Sequence, residues 1–336
     1  MEKLIKIHLP QLPTTSISAA RMEEGEIICR IDDDLAYEKR NWPYLVVLPI
    51  AWLMTIWAMS KTLFCNLLLS HQPKATSILF DRFSRPLHDI RLGAASWKAL
   101  DIICHWFEPS WREECYQNLG WLERLLADFW IGMKNAQAVR NRRRMAAREI
   151  HKAVESFLPA EEVRIFSIAA GSGEVVIEEI ARRKKDGVRI IALLLDNDPT
   201  ACVYAKSLAE RYDVTDQLTI IQENVRHIEV VLEERKFRPH IIEMLGFLDY
   251  RPWQKATVLI QRIFKLLPQK GVFLTCHIRR NCERYFLRWV ISWWMLYRQP
   301  EELASLIHEG GFAPENIILM YEPHTIHGIA VAKKNS

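Results

Sequence analysis

A chain of 336 residues, 49% hydrophobic and 26% charged, is long enough for one large core or two smaller ones, which excludes a disulfide-stapled miniprotein, a collagen-like repeat and a disordered chain. Its 12 glycines and 15 prolines give no low-complexity character, and a net charge of +4 sets up no field that demands a nucleic-acid partner. Seven scattered cysteines with no Cys-x-x-Cys pair imply no zinc site and no other metal; with a start, Met1–Lys6, that lacks a secretory signal, they predict free thiols and a cytoplasmic setting.

In chain order, residues 1–40 read as an irregular, partly acidic leader. Residues 41–60 then hold no charged residue, and the apolar character resumes after Lys61 in Leu63-Phe64-Cys65 and Leu67-Leu68-Leu69. The length meets the roughly 20 apolar residues that a spanning helix needs, with Pro49 expected to kink it. A buried helical hairpin is the plainer expectation; peripheral membrane contact through 41–69, or a true span, are the others. Residues 75–130 read as helices broken near Pro86, Gly93 and Pro109. A basic run follows on a helical background: Arg140, Arg142, Arg143, Arg144, Arg148 and Lys152. Its ordinary meaning is a solvated helix face; an RNA-modifying enzyme that uses residues 134–152 is the sharper alternative.

Past residue 160 the pattern changes to apolar β-like runs alternating with helices, as expected of a parallel sheet with crossover helices. Val163–Ile168 reads as a buried strand running into Ala169-Ala170-Gly171-Ser172-Gly173-Glu174 and then a helix. Such a turn aims backbone N–H groups at a ligand, and small residues allow close approach. The next strand ends at Asp196-Asn197-Asp198-Pro199, where an acid can accept hydrogen bonds from both ribose hydroxyls of a nucleoside. Val176 stands where a dinucleotide fingerprint wants its third glycine, which argues against NAD and a dehydrogenase.

On these residues, roughly 160–333 resemble the class I S-adenosylmethionine-dependent methyltransferases. The resemblance implies an α/β fold: a Rossmann-like seven-stranded sheet with helices on both faces, closed by the strand pair Ile317–Tyr321 and Gly328–Ala332. It departs from the family at Ser167, where an acid is usual, and at Ala169, where the first glycine is usual. S-adenosyl-L-methionine is the implied cofactor, held by Ala169, Gly171, Ser172, Gly173, Asp196, Asn197, Asn224, Val225 and Gly246. Asn224 stands near the position of an acid that meets the adenine amino group. The segments Gly246-Phe247-Leu248-Asp249-Tyr250, His277–Asn281, Tyr297–Leu303 and Ile326–Ala332 further resemble a bacterial group within the family of undetermined substrate.

An oxygen or nitrogen acceptor with a proton to lose needs a base, and histidine suits neutral pH best. The candidates are His277, with Asp249 and Tyr250; His324 and His327 rank behind. Arg279, Arg298, Tyr297 and His327 are expected to bind substrate. Apolar residues 286–297 read as a pocket lining or as a helix packed on the helical region. The expected arrangement is an α-helical region, 1–155, before a methyltransferase domain, 156–336. The expected function is methyl transfer to a small or lipid-like acceptor, with a non-catalytic cofactor-binding protein as the alternative.

Overall fold

In the computed structural model, residues 3–7, 27–34, 36–39, 44–68, 83–158 and 162–335 are described. The chain divides into two compact units. One holds residues 1–33, 144–279 and 296–336; the other holds 34–143 and 280–295.

The first unit is built on a nine-stranded sheet. Its strands are β1 (Lys3–Ile7), β2 (Ile27–Ile31), β3 (Val163–Ile168), β4 (Ile190–Asp196), β5 (Leu218–Gln222), β6 (Ile241–Met244), β7 (Val272–Ile278), β8 (Ile317–Tyr321) and β9 (His327–Lys333), in the spatial order β1-β2-β8-β9-β7-β6-β3-β4-β5. Strands β3 to β7 are mutually parallel, and β9 runs antiparallel between β7 and β8. Successive residues of a strand face opposite sides of the sheet. Every residue of β6 and β7 is buried, so both faces are covered, as a parallel sheet requires. This is the expected Rossmann-like α/β sheet.

The sheet exceeds the expected seven strands because the amino-terminal segment is not an irregular leader. Strand β2 pairs in parallel with β8, Ile28 opposite Ile318, and β1 pairs antiparallel with β2. Alternating burial along Ile27-Ile28-Cys29 puts Ile27 and Cys29 into the same core as Ile317 and Leu319.

The second unit is helical: Tyr44–Leu68, Arg85–Leu92, Trp97–His105, Pro109–Cys115, Trp121–Ile131, the first half of Lys134–Glu155, and Arg284–Trp289. The breaks fall where Pro86, Gly93 and Pro109 suggest. Trp106 is fully buried and donates its indole N–H to Asp128 Oδ1 at 2.7 Å. Residues 280–295 belong here and not with the sheet, contrary to a division at residue 156. Phe286 stacks on Trp130 at 4.8 Å, so this stretch packs on the helical region. Glu283 accepts the N–H groups of Lys134 and Asn135 at 3.2 and 2.8 Å, which caps the basic helix at its positive end. Burial nonetheless pushes its carboxyl up to about 7.

That helix is no simple solvated face. Arg140 is buried; its guanidinium forks onto the Glu38 carboxylate at 2.8 Å and reaches the carbonyls of Ile103 and Ile131 at 3.1 Å. Arg148 pairs with Asp32 and Glu149, and Lys152 with Glu149 at 2.9 Å. Arg140 is thus spent inside the protein and Arg142, Arg143 and Arg148 are half-buried, while Arg144 and Lys152 stay exposed. The apolar run 41–69 is no buried hairpin either: its described part is one continuous helix through Pro49, with most apolar side chains exposed.

Candidate cofactor crevice

The parallel strands β3 to β6 deliver four loops to one edge of the sheet. Chain order reverses between β3 and β6, since β3 lies next to both β4 and β6. The crevice outside the carboxyl ends at such a reversal is where open α/β sheets take ligands.

At the tip of β3 the chain turns through three left-handed residues, Ala169, Gly171 and Gly173, with φ of 53°, 58° and 62°. At Gly173 a Cβ would lie 1.9 Å from Leu194 Cδ2, so any side chain there would have to displace that buried leucine. Ala169 takes the same conformation without a glycine's freedom, which for an L-residue costs about 1 kcal/mol. The turn is tied to β4 by Ala170 N–H on Leu195 O at 3.0 Å. It opens the helix Glu174–Lys185, whose N-cap is Gly173 with no side-chain partner.

Asp196, at the tip of β4, reaches back to this turn. Its Oδ2 accepts Gly171 N–H at 2.8 Å and its Oδ1 accepts Asp198 N–H at 2.9 Å. A carboxylate has about four acceptor positions, so two stay available to a ligand. Asp198 caps the next helix through Thr200 N–H at 2.8 Å, and Pro199 occupies its first turn. Asn197 is exposed between them, and Ser172 is half-buried in the turn.

At the tip of β5, the Asn224 side-chain oxygen accepts Arg226 N–H at 3.0 Å and so caps the short helix Val225–His227. Its neighbour Glu223 is held below the usual carboxylate range by the N–H of Asn224 and then by His227. Asn224 and Val225 line a cavity of about 450 Å³ with Phe247 and Leu259, rimmed by Arg226, Arg251, Lys255 and Arg262. Arg251 lies over the Phe247 ring at 4.2 Å, and Arg262 is paired with Glu229. Gly246 takes φ of 81° in the turn after β6, and its N–H points at Cys276 Sγ at 2.9 Å.

The residues expected to act on the acceptor are placed differently. His277 is fully buried in β7, its Nε2 lies 2.5 Å from the Tyr321 hydroxyl, and Nδ1 has no hydrogen-bond partner. Burial, helped by the charges of Arg298 and Arg279, pushes it down to about 3, so the ring is neutral where it lies in the sheet. Asp249 is buried and accepts Ile278 N–H at 3.0 Å. Arg298, also buried, donates to Leu248 O at 2.7 Å and to Arg251 O, and its own N–H bonds Ile278 O at 3.1 Å. Asp249 and Arg298 therefore brace the loop 248–251 against the end of β7 instead of presenting charge to a substrate. Arg279 bonds Gln299 Oε1 at 2.9 Å. His327 is buried in β9, behind a turn that Glu322 holds through the N–H groups of His324, Ile326 and His327. Tyr250 and Tyr297 are half-buried.

One group escaped the sequence reading. Glu243 of β6 lies opposite Ser167 of β3 and accepts its hydroxyl in a short hydrogen bond. It is buried between the two strands at the point of reversal, and desolvation raises its carboxyl to about 7. The signal was available: an ionisable residue inside the apolar run Ile241-Ile242-Glu243-Met244 is costly to bury and calls for a reason. It places a carboxyl one strand away from Ser167.

No protein-family model matches the chain, and no curated protein matches it. Among solved structures, it is similar to a possible exported protein from Bordetella parapertussis, with a TM-score of 0.58 and 13% identity over 85% of this chain and 97% of that one. It is also similar to the carbon methyltransferase CurJ, with a TM-score of 0.48 and 14% identity over 75% and 67% of the two chains. A third is magnesium protoporphyrin IX methyltransferase from Synechocystis PCC 6803, with a TM-score of 0.47 and 10% identity over 70% and 98%. The first of these likenesses, at 13% identity, bears on fold alone.

Proposed function

We propose that the protein binds S-adenosyl-L-methionine in the crevice between β3 and β6 and transfers its methyl group to oxygen or nitrogen of a small or lipid-like acceptor. The observation that carries this reading is the clasp between Asp196 and the Gly171 turn, set in a sheet whose β9 runs antiparallel between β7 and β8. The buried Val176, in place of a third glycine, disfavours a pyrophosphate.

The residues fit the cofactor. The free acceptor positions of Asp196 suit the ribose hydroxyls, and the apolar Val225, Phe247 and Leu259 suit an adenine ring. Glu243 with Ser167 restores a carboxyl partner for the methionine ammonium, the group that Ser167 alone would leave without one. When bound, the cofactor supplies a methyl on a sulfonium centre. The chain's task is then to hold the acceptor in line with that methyl, since alignment alone supplies several kcal/mol of barrier lowering.

A second reading rests on the burial of His277 and the internal engagement of Asp249 and Arg298: a protein that binds the cofactor without catalysing transfer. Titration calorimetry with S-adenosylmethionine, S-adenosylhomocysteine and NADH, on the wild type and Asp196→Ala, tests the cofactor. Micromolar binding of the first two, lost in the variant, is expected; binding of NADH alone would overturn the proposal. Formation of S-adenosylhomocysteine across lipid and small-molecule acceptors separates the two readings.

A further inference from the structure

The helix Tyr44–Leu68 carries a feature that the cofactor crevice does not need. Among the described residues, Leu48–Leu68 is a helical stretch long and apolar enough to cross a membrane, and only 11% of its most apolar window is buried. At 100° per residue, Leu53, Ile56, Trp57, Leu63, Phe64 and Leu67 fall on one half of the cylinder. All six are exposed, Leu53 at 68%, Trp57 at 66% and Leu67 at 73%. Ala51 and Thr55 lie on the other half and are buried, and at its edge Trp52 meets Tyr285 with ring centroids 5.9 Å apart. Lys61, the only charged residue in the helix, is half-buried off the exposed half.

We infer that this outer half is embedded in one leaflet of a lipid bilayer. A helix made to dock on protein shows a narrower apolar stripe flanked by charged and hydrogen-bonding residues, because protein interfaces have polar rims. Here the exposed half carries no charge along it, and Ser60 is the polar residue among its exposed apolar side chains. The same unit also exposes Trp121 and Leu125.

Chain topology decides between lying in the membrane and crossing it. Strand β2 precedes the helix and β3 follows it, and both belong to one sheet. The chain therefore enters and leaves on the same side. Among the described residues no second helix is long and apolar enough to bring the chain back across. The helix rests in one leaflet with its packed half toward its own unit.

Flotation of the full chain with neutral phosphatidylcholine vesicles tests this. The wild type is expected to float with the vesicles and to stay bound in 1 M salt, because the contact is apolar and not ionic. Leu53→Glu/Trp57→Glu is expected to lose at least tenfold in the bound fraction with unchanged far-ultraviolet circular dichroism, whereas Val203→Glu, an equally exposed apolar position in the other unit, floats like the wild type. A wild type that stays with the soluble fraction overturns the inference, and so does a double variant that floats undiminished. A soluble dimer that the double variant dissociates would assign the face to a second copy of this chain. Because no cofactor is involved, failure here leaves the methyltransferase proposal intact.

Discussion

At the tips of β3 and β4 the site is made of backbone amides, glycines and one acid at the surface of the crevice; at the tips of β6 and β7 the charged and titratable side chains have turned inward. Asp196 keeps acceptor positions open to a ligand while it clasps Gly171. Asp249, by contrast, accepts the Ile278 N–H from a buried position, and Arg298 gives its guanidinium to Leu248 and Arg251 carbonyls. A ligand site can thus be half displayed and half braced. The same residue types bind on one side and hold the loops in place on the other.

The strongest way to break the displayed side is Gly173→Ala. A Cβ 1.9 Å from Leu194, on a backbone with φ of 62°, is expected to cost more than about 3 kcal/mol and to leave little folded protein, read as soluble yield and melting temperature. Asp196→Ala is next, with at least a roughly hundredfold loss of S-adenosylmethionine affinity by calorimetry, since two charge-assisted ligand bonds would disappear.

Arg298→Met tests the braced side. One buried and one part-buried carbonyl lose their donor, so a destabilisation of about 2–3 kcal/mol is expected in denaturant melts. If the variant instead raised KM for an acceptor at unchanged stability, Arg298 would be a substrate ligand and the contrast would fail.

Glu243→Gln sharpens the contrast through pH. A carboxyl raised from 4.5 to about 7 in the fold binds its proton more tightly there than in the unfolded chain. Its contribution is favourable below pH 4.5 and is progressively lost as pH rises through 7, by a few kcal/mol. The variant is therefore expected to unfold with a flatter pH dependence between 5 and 8 and to gain on the wild type at pH 8; a parallel profile would show that Glu243 ionises normally. The smallest effect is Ala169→Gly, which relieves a positive φ of 53° and is expected to add about 0.5–1 kcal/mol by chemical denaturation.

Legibility in the sequence followed the range of the interactions. The turn at 169–173, Asp196 and the cap Asp198 are set by neighbours a few residues away, and the structure places them as their spacing suggests. The edge strands β1 and β2 were invisible because β2 acquires meaning only beside β8. His277 was misread for a related reason: its accessibility depends on strands on either side, and only a covered sheet makes it a core histidine. Glu243 was overlooked inside a run that reads simply as buried strand. For the helix Tyr44–Leu68, length and apolarity were plain from composition, but which half faces outward is a property of tertiary packing.

The edge pairing of β2 with β8 has a consequence for synthesis. Arg30 and its side-chain partner Met320 are 290 positions apart. On the ribosome β2 is made long before β8 and must wait for it, with that hydrogen-bonding edge unmatched meanwhile. Completion of the sheet at that edge thus lags far behind synthesis of its first strand, an interval in which a chaperone has something to hold.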